Sequence, residues 1–398
     1  MANFIFEDDI EKAIIKVFKD KLNYRHINCY TSDPENLNDG SHRKNKTEVV
    51  LEKILFDKLK KFNPDIQEDK LQEVVDNIKL SRASMSKVSA NKEVYKILKD
   101  GIRVLVKNSK GKEEAKWVKV IDYKHKMDND FLVVSQLWIK GAIRYRRPDL
   151  LLYINGIPVV FIELKNSNVS VRNAYDDNLT TYRSEIPLLF NYNQVCILSN
   201  GLETKVGSFD SIWEFFKDWL RIDDEKEKID RSVIEEEKVS LKYTVLGLCT
   251  KNRIIDYIEN FILYNEDYSK IIAMNHQFLG VNKAVKSFEN RNGNQGKLGV
   301  FWHTQGSGKT FSMTMFVAKI NRKFEGNYTF LVVTDRNDLD RQIYKNFLKV
   351  GLVKKTDVVQ PKNSEALRNY LKTNKNFIFT LIQKFRYEKG KDYPILSE

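Results

Sequence analysis

The sequence predicts an α/β protein of two domains: a mixed sheet flanked by helices over residues 1–250, then a doubly wound parallel sheet over 251–398. Three observations predict it. Apolar residues at helical spacing fill much of residues 7–99, and a period of two with turn residues takes over at 101. Two apolar runs, Leu150–Ile154 and Pro158–Leu164, flank Asn155-Gly156, the strongest short hairpin signal. Residues 298–323 read as strand, Gly-rich loop and helix.

In order, residues 7–18 place Ile10, Ala13, Ile14, Val17 and Phe18 on one helix face, with acids in the first turn. A polar loop covers 31–45, and helices are expected at about 47–62, 66–80 and 91–99. GIRVLVKN, KWVKVIDY and DFLVVSQLWI are short strands leading into the hairpin. A helix is expected from about 170 to 184, where Asn178 and Tyr182 share a face at i, i+4. QVCILSN reads as a strand and SIWEFFKDWL as an amphipathic helix. The charged run 223–238 is the expected linker. Further on, LGVFW (298–302) is an expected strand. YTFLVVTDRNDLDRQI (328–343) reads as strand then loop, and FIFTLIQKF (377–385) as a strand ending in Gln383-Lys384. Strands alternating with helices indicate a parallel, doubly wound sheet.

At 398 residues and 42% apolar content, the chain has ample material for two or three cores. No run of about 18 apolar residues is present, so no membrane-spanning helix is expected. The N-terminal MANFIFEDDIEKA lacks the basic and apolar regions of a secretory signal. Three cysteines (Cys29, Cys196, Cys249) without a CxxC argue against a disulfide framework or zinc module, and His26 with Cys29 has no second pair. A cytoplasmic location is expected. The net charge of +13 favours a polyanionic partner, with nucleic acid the default.

Asp149, Glu163 and Lys165 stand out against the apolar hairpin. Glu163 and Lys165 are two apart on one strand and leave the same face. With a two-residue loop, Asp149 would lie opposite Ile162, and Glu163 would point to the other face. With a three-residue loop, Asn155-Gly156-Ile157, Asp149 falls opposite Glu163, Cβ atoms roughly 5 Å apart. Two carboxylates that close suit a divalent cation, and oxygen ligands suit Mg²⁺. Lys165 would orient a water or hold a scissile phosphate, giving a metal-dependent phosphodiesterase site. The bland alternative makes them a strand start and a solvated face. The nearly continuous apolar run around Glu163 weighs against that, because charge inside such a strand is costly. Arg144, Arg146 and Arg147, just ahead of Asp149, would contact a DNA backbone. Glu7 and Glu11 on the first helix favour the helix N-terminus.

In the second half, Gly306 and Gly308 of His303-Thr304-Gln305-Gly306-Ser307-Gly308-Lys309-Thr310 let backbone N–H groups curl around phosphates at a helix N-terminus. Lys309 would reach the β and γ phosphates and Thr310 would ligand Mg²⁺. Gln305 and Ser307 complete the expected ATP-binding loop; His303 stands where the common pattern has glycine. No apolar strand ending in Asp-Glu follows Lys309 before Glu398. The expectation is an incomplete phosphate-loop domain that binds ATP but hydrolyses it poorly or not at all.

The hairpin residues Pro148-Asp149 and Glu163-Leu164-Lys165 resemble the PD-(D/E)XK nuclease superfamily. Gln277 is placed like the adenine-reading glutamine of superfamily 2 helicases. VVTDRNDLDRQ, with Arg336, resembles their segment that touches the DNA backbone. Together with RRPDLLLYINGIPVVFIELKN, IPLLFNYNQ, WHTQGSGKT and T-x-x-Q-K-F, in this order, the chain resembles the N-terminal portion of the R (motor and cleavage) subunit of type I restriction enzymes, ending before the Walker B box. The resemblance implies Asp149 and Glu163 as metal ligands, Lys165 as catalytic lysine, a first-helix acid, Glu7 or Glu11, lining the same site, and Lys309 and Thr310 as ATP and Mg²⁺ residues. It also implies double-stranded DNA as substrate, cut at a distance from the recognition site, with methylation (M) and specificity (S) subunits as partners. The sequence departs from the family at Asn178, where the Gln-x-x-x-Tyr pair has glutamine, with Tyr182 kept. Met274 and Asn275 replace an arginine near Gln277. Rival readings are a stand-alone ATP-gated nuclease or repair helicase, a non-catalytic DNA- or partner-binding fragment, and a plain P-loop kinase.

Overall fold

The structure, a computed structural model, describes residues 5–107, 111–265, 269–353, 358–373 and 375–385. It divides into two compact units, Met1–Ile262 and Leu263–Glu398.

The first unit is built on β1 (Arg25–Asn28), β4 (Phe131–Ser135), β7 (Leu150–Ile154), β8 (Ile157–Leu164), β9 (Val195–Ser199), β10 (Thr204–Gly207) and β11 (Lys217–Asp218), in that spatial order. The sheet is mixed, as expected: β1–β4 and β8–β9 are parallel, the other neighbours antiparallel. Two small ladders stand apart from it, β2 (Ile102–Lys107) with β3 (Glu113–Val118), and β5 (Ile139–Lys140) with β6 (Tyr145–Arg146). Every residue of β7 and β8 is buried, which is why both read as apolar runs without alternation.

Helices α1 (Glu7–Lys16), α2 (Glu52–Phe62), α3 (Glu68–Lys79) and α4 (Lys87–Asp100) precede the hairpin. The expected helix at 47–62 begins at Glu52. Ahead of it, Asp39 accepts hydrogen bonds from Arg43 (3.0 Å), Lys46 (2.7 Å) and Ser41, and this buried cluster fixes the chain as a loop. After β8, α5 (Val171–Asn173), a π turn (Ala174–Leu179) and α6 (Thr180–Glu185) run on as one rod, followed by α7 (Pro187–Tyr192). Helix α1, the π turn and α7 rest against β8.

Two expectations fail here. SIWEFFKDWL is not a helix: Trp213–Phe215 form one 3₁₀ turn and Lys217–Asp218 pair with β10 as an edge strand. Trp213 and Phe216 stack together against Tyr175, and that contact outweighs the helical spacing. Residues 223–238 are not a linker between units, because they lie within the first. The Glu227 carboxylate accepts from the N–H groups of Ile222, Asp223 and Asp224, and α8 (Arg231–Glu237) follows, with α9 (Ser240–Leu248) and α10 (Lys251–Asn260) after it.

Strand β12 (Ile262–Tyr264) starts at the last residue of the first unit; in the second unit β13 (Lys270–Ile272) is followed by α11 (Asn275–Glu289), α12 (Lys309–Lys323), β14 (Phe330–Thr334), α13 (Asn337–Lys349), β15 (Val358–Val359), α14 (Ser364–Leu371) and β16 (Phe377–Leu381). The last three strands form a parallel sheet ordered β14-β16-β15. Val317 of α12 and Ile343 and Phe347 of α13 close one face over Phe377 and Phe379. The other face is covered at β16, where Ile378 and Thr380 are buried, but open at β14, where Leu331 and Val333 are exposed. Among the described residues the sheet is therefore covered on both faces only at β16. Residues 298–302 do not form the expected strand. Among the described residues they pair with no ladder, and Val300 and Trp302 stay 93% and 78% exposed. The segment expected as a loop after β14 is instead helix α13, opened by acids in its first turn.

Candidate nuclease and nucleotide sites

The hairpin turn has two residues, with Ile154 paired to Ile157. Asn155 and Gly156 take φ of +51° and +79°, as a type I′ turn requires. The turn is buried. Asn155 accepts from Asp130 N–H and donates to the Val120 carbonyl and Asn129, and a Cβ on Gly156 would meet Leu51 O at 2.5 Å. A straight hairpin from this turn would put Glu163 on the wrong face. It does not, because Tyr153 pairs with Pro158 while Leu152 pairs with Val160, leaving Val159 as a bulge. Beyond the bulge Leu150 pairs with Ile162, and continuing that register by one step places Asp149 opposite Glu163. A two-residue turn with a bulge at Val159, and not the expected three-residue loop, sets this register.

Leu164 N–H donates to Asp149 Oδ2 at 2.7 Å. Lys165 Nζ lies 3.9 Å from Glu163 Oε1 and 3.0 Å from the Leu164 carbonyl. Asn178 donates to Glu163 Oε1, and the Tyr182 hydroxyl reaches the same oxygen at 3.4 Å. The π turn keeps both side chains on that face. Glu163 Oε2 is buried and, among the described residues, has no hydrogen-bond partner. Burial, and then the Asp149 charge, push the Glu163 carboxyl well above its ordinary range. Burial, then the Glu7 charge, push Asp149 up to about 7.

Helix α1 is docked at this site. Asn166 accepts from Glu7 N–H at 2.8 Å, and Ser167 exchanges hydrogen bonds with Ile5. Glu7 and Glu11, both raised chiefly by burial, therefore stand within electrostatic reach of Asp149. Glu11 is held by Gln136, a residue that the sequence analysis did not single out. Asn166 and Ser167 were missed too; their only signal is that they follow Lys165 directly.

The three arginines part company. Arg146 and, at 4.0 Å, Arg144 pair with Glu185. The Arg147 guanidinium lies over the rings of Trp138 (4.8 Å) and Tyr30 (5.0 Å). Arg336 precedes α13, 3.6 Å from Asp335.

Two opposed carboxylates, one with a bare buried oxygen, form an oxygen donor set that fits a hard divalent cation. Among the described residues no three His, Cys, Asp or Glu side chains gather into a complete metal site. The remaining ligands would come from water or substrate.

In the second unit Gly306 and Gly308 are left-handed (φ +79° and +77°), and α12 begins at Lys309. Lys309 Nζ folds back to donate to the carbonyls of His303 and Thr304, both at 2.9 Å. Gln305 and Gly306 are exposed, Ser307 and Thr310 half-buried. Gln277 accepts from Met274 N–H and donates to the carbonyls of Gly308 (3.0 Å) and Ser307 (3.3 Å), so its amide braces the loop.

These two units define an α/β chain with an acid-lined sheet site followed by a phosphate-loop ATPase fold. The family model described as type I restriction enzyme R protein N terminus matches residues 5–213, and the SWI2/SNF2 ATPase model matches 276–398. The chain belongs to the type I restriction enzyme R protein family. It is 36% identical over 88% of its length to the type I restriction enzyme HindI endonuclease subunit of Haemophilus influenzae, and 32% identical over 98% to the putative MjaIXP endonuclease subunit of Methanocaldococcus jannaschii. A third relative, the SsaAORF53P endonuclease subunit of Staphylococcus saprophyticus, is 28% identical over 68% of the chain. The chain spans 34%, 38% and 28% of these relatives' lengths, about a third. Among the described residues no helix is long and apolar enough to cross a membrane.

Proposed function

We propose that the chain supplies the DNA-cleaving and ATP-binding parts of a type I restriction endonuclease, with a PD-(D/E)XK site at Asp149, Glu163 and Lys165. The observation that carries this reading is the convergence on Glu163. Asp149 stands opposite it, Lys165 beside it, Asn178 and Tyr182 fix one of its oxygens, and the other oxygen is buried without a partner. Such an arrangement is costly in an empty core and becomes favourable around a cation.

Asp149 and Glu163 would hold Mg²⁺, which supplies Lewis-acid activation of the phosphodiester and of a water. Lys165 places its ammonium next to that pair, where it can neutralise a non-bridging phosphate oxygen or orient the attacking water. Asn178 and Tyr182 keep Glu163 Oε1 turned toward Lys165. Glu7 and Glu11 add negative field from α1. Arg144 and Arg147 face duplex DNA at the phosphate backbone, with Arg146 held by Glu185 as support. Gln305–Thr310, braced by Gln277, take ATP with Mg²⁺ on Thr310, and Arg336 follows the duplex. Target choice comes from the methylation and specificity subunits, in the cytoplasm, with cleavage coupled to ATP-driven translocation of the DNA.

The test is cleavage of supercoiled plasmid by the chain with Mg²⁺ or Mn²⁺, alone and with ATP and the M and S subunits. Lys165→Ala is expected to lower the rate at least about 100-fold while leaving Mn²⁺ binding in place. Cleavage that survives Lys165→Ala, or no cleavage by the wild type under any of these conditions, sinks the reading.

A further inference from the structure

Strand β4 ends abruptly at Ser135, and the next residue turns the wrong way for an L amino acid. Gln136 has φ of +57°, a left-handed conformation that glycine adopts freely and glutamine does not. Continuing the β4–β7 register, which pairs Ser135 with Leu150, places Gln136 opposite Asp149. Its N–H donates to the Asp149 carbonyl at 2.9 Å, locking the kink. Its side-chain amide donates to Glu11 Oε2 on α1. One residue thus grips the backbone of one acid and the carboxylate of another. The chain keeps a long amide where the backbone alone would prefer glycine, so the side chain has a use that outweighs the strain.

That use lies at the cation site proposed above, on which this inference rests. Glu11 is within electrostatic reach of Asp149, yet no third carboxylate joins Asp149 and Glu163 as a direct ligand among the described residues. We infer that Gln136 is a positioning residue. It aims Glu11 at the water shell of the cation held by Asp149 and Glu163, making Glu11 an outer-sphere acceptor. Gln136 does for Glu11 what Asn178 does for Glu163. Partners that orient the surroundings of a bound metal commonly change its affinity by about 10–100-fold.

The experiment titrates the nucleotide-free, full 398-residue chain with Mn²⁺ alone, read by electron paramagnetic resonance, with thermal unfolding in chelator alongside. Gln136→Gly removes the amide and relieves the left-handed backbone. It is expected to weaken Mn²⁺ binding about tenfold while the metal-free unfolding temperature holds or rises. Glu11→Gln, which keeps a hydrogen-bonding partner for Gln136 but removes the charge, is expected to weaken binding equally. Asp149→Asn is the control and should abolish saturable binding. If Asp149→Asn binds Mn²⁺ like the wild type, the cation site itself is refuted and this inference falls with it. If Asp149→Asn loses binding while Gln136→Gly and Glu11→Gln keep wild-type affinity, only the inference is overturned. It is also overturned if Gln136→Gly lowers the metal-free unfolding temperature while Glu11→Gln binds normally, which would assign Gln136 to scaffolding.

Discussion

Removing the Asp149 charge should stabilise the metal-free protein by an amount that grows as pH rises from about 4 to about 7 and is constant above that. Burial, then the Glu7 charge, raise this carboxyl from 3.8 to about 7. Between those values the folded chain keeps a proton that the unfolded chain has released. Stability therefore declines as pH rises across that window and is flat beyond it. A rise of roughly 3 pH units at about 1.4 kcal/mol each gives about 4 kcal/mol. Asp149→Asn keeps an oxygen for Leu164 N–H and carries no charge, so it should recover much of that loss at pH 8 and none at pH 3.5. Urea unfolding in chelator, followed by the fluorescence of buried Trp219 in the first unit, reads the difference. Saturating Mg²⁺ should stabilise the wild type by about 2–3 kcal/mol at a hundredfold excess over its dissociation constant, and the variant not at all. Parallel stability–pH curves for the two proteins would refute the reasoning, since Asp149 would then not be an acid whose proton is held by burial.

Four further outcomes follow from the geometry. Gly156→Ala adds a Cβ 2.5 Å from Leu51 O at φ +79°, and chemical denaturation should show a loss of about 2–4 kcal/mol in the first unit. Asp39→Ala leaves Arg43 and Lys46 buried without their anion, with an expected cost of about 3–5 kcal/mol by the same measurement. Gln277→Ala removes the amide that braces the carbonyls of Ser307 and Gly308, leaving His276 on Ser307, and should weaken binding of a fluorescent ATP analogue about tenfold, or about 1.4 kcal/mol; Lys309→Ala, losing the loop's ammonium, should weaken it more.

The parts legible in the sequence were those dictated by local pattern. Asn155-Gly156 between apolar runs gives the turn, and the run through Phe161, Ile162 and Leu164 gives a strand buried on both faces. Register was only half legible. No residue in β8 announces the bulge at Val159, because a bulge among buried aliphatic residues leaves no compositional mark. SIWEFFKDWL has helical spacing, but its aromatics are claimed by Tyr175, a contact distant in sequence. LGVFW has strand composition, yet a parallel strand exists only through its neighbours, and here it has none among the described residues. Gln136 was invisible because left-handed backbone is signalled by Gly or Asn, and neither stands there.

The resting posture of Lys309 bears on how its loop responds to phosphate. An ammonium offers three donors, and two are already spent on the loop's own carbonyls. Any phosphate entering the loop exchanges those hydrogen bonds for new ones, gaining little in their number. The net reward is charge meeting charge, on a lysine exposed to solvent. Affinity at this loop should accordingly climb with each added phosphate and fade as ionic strength rises.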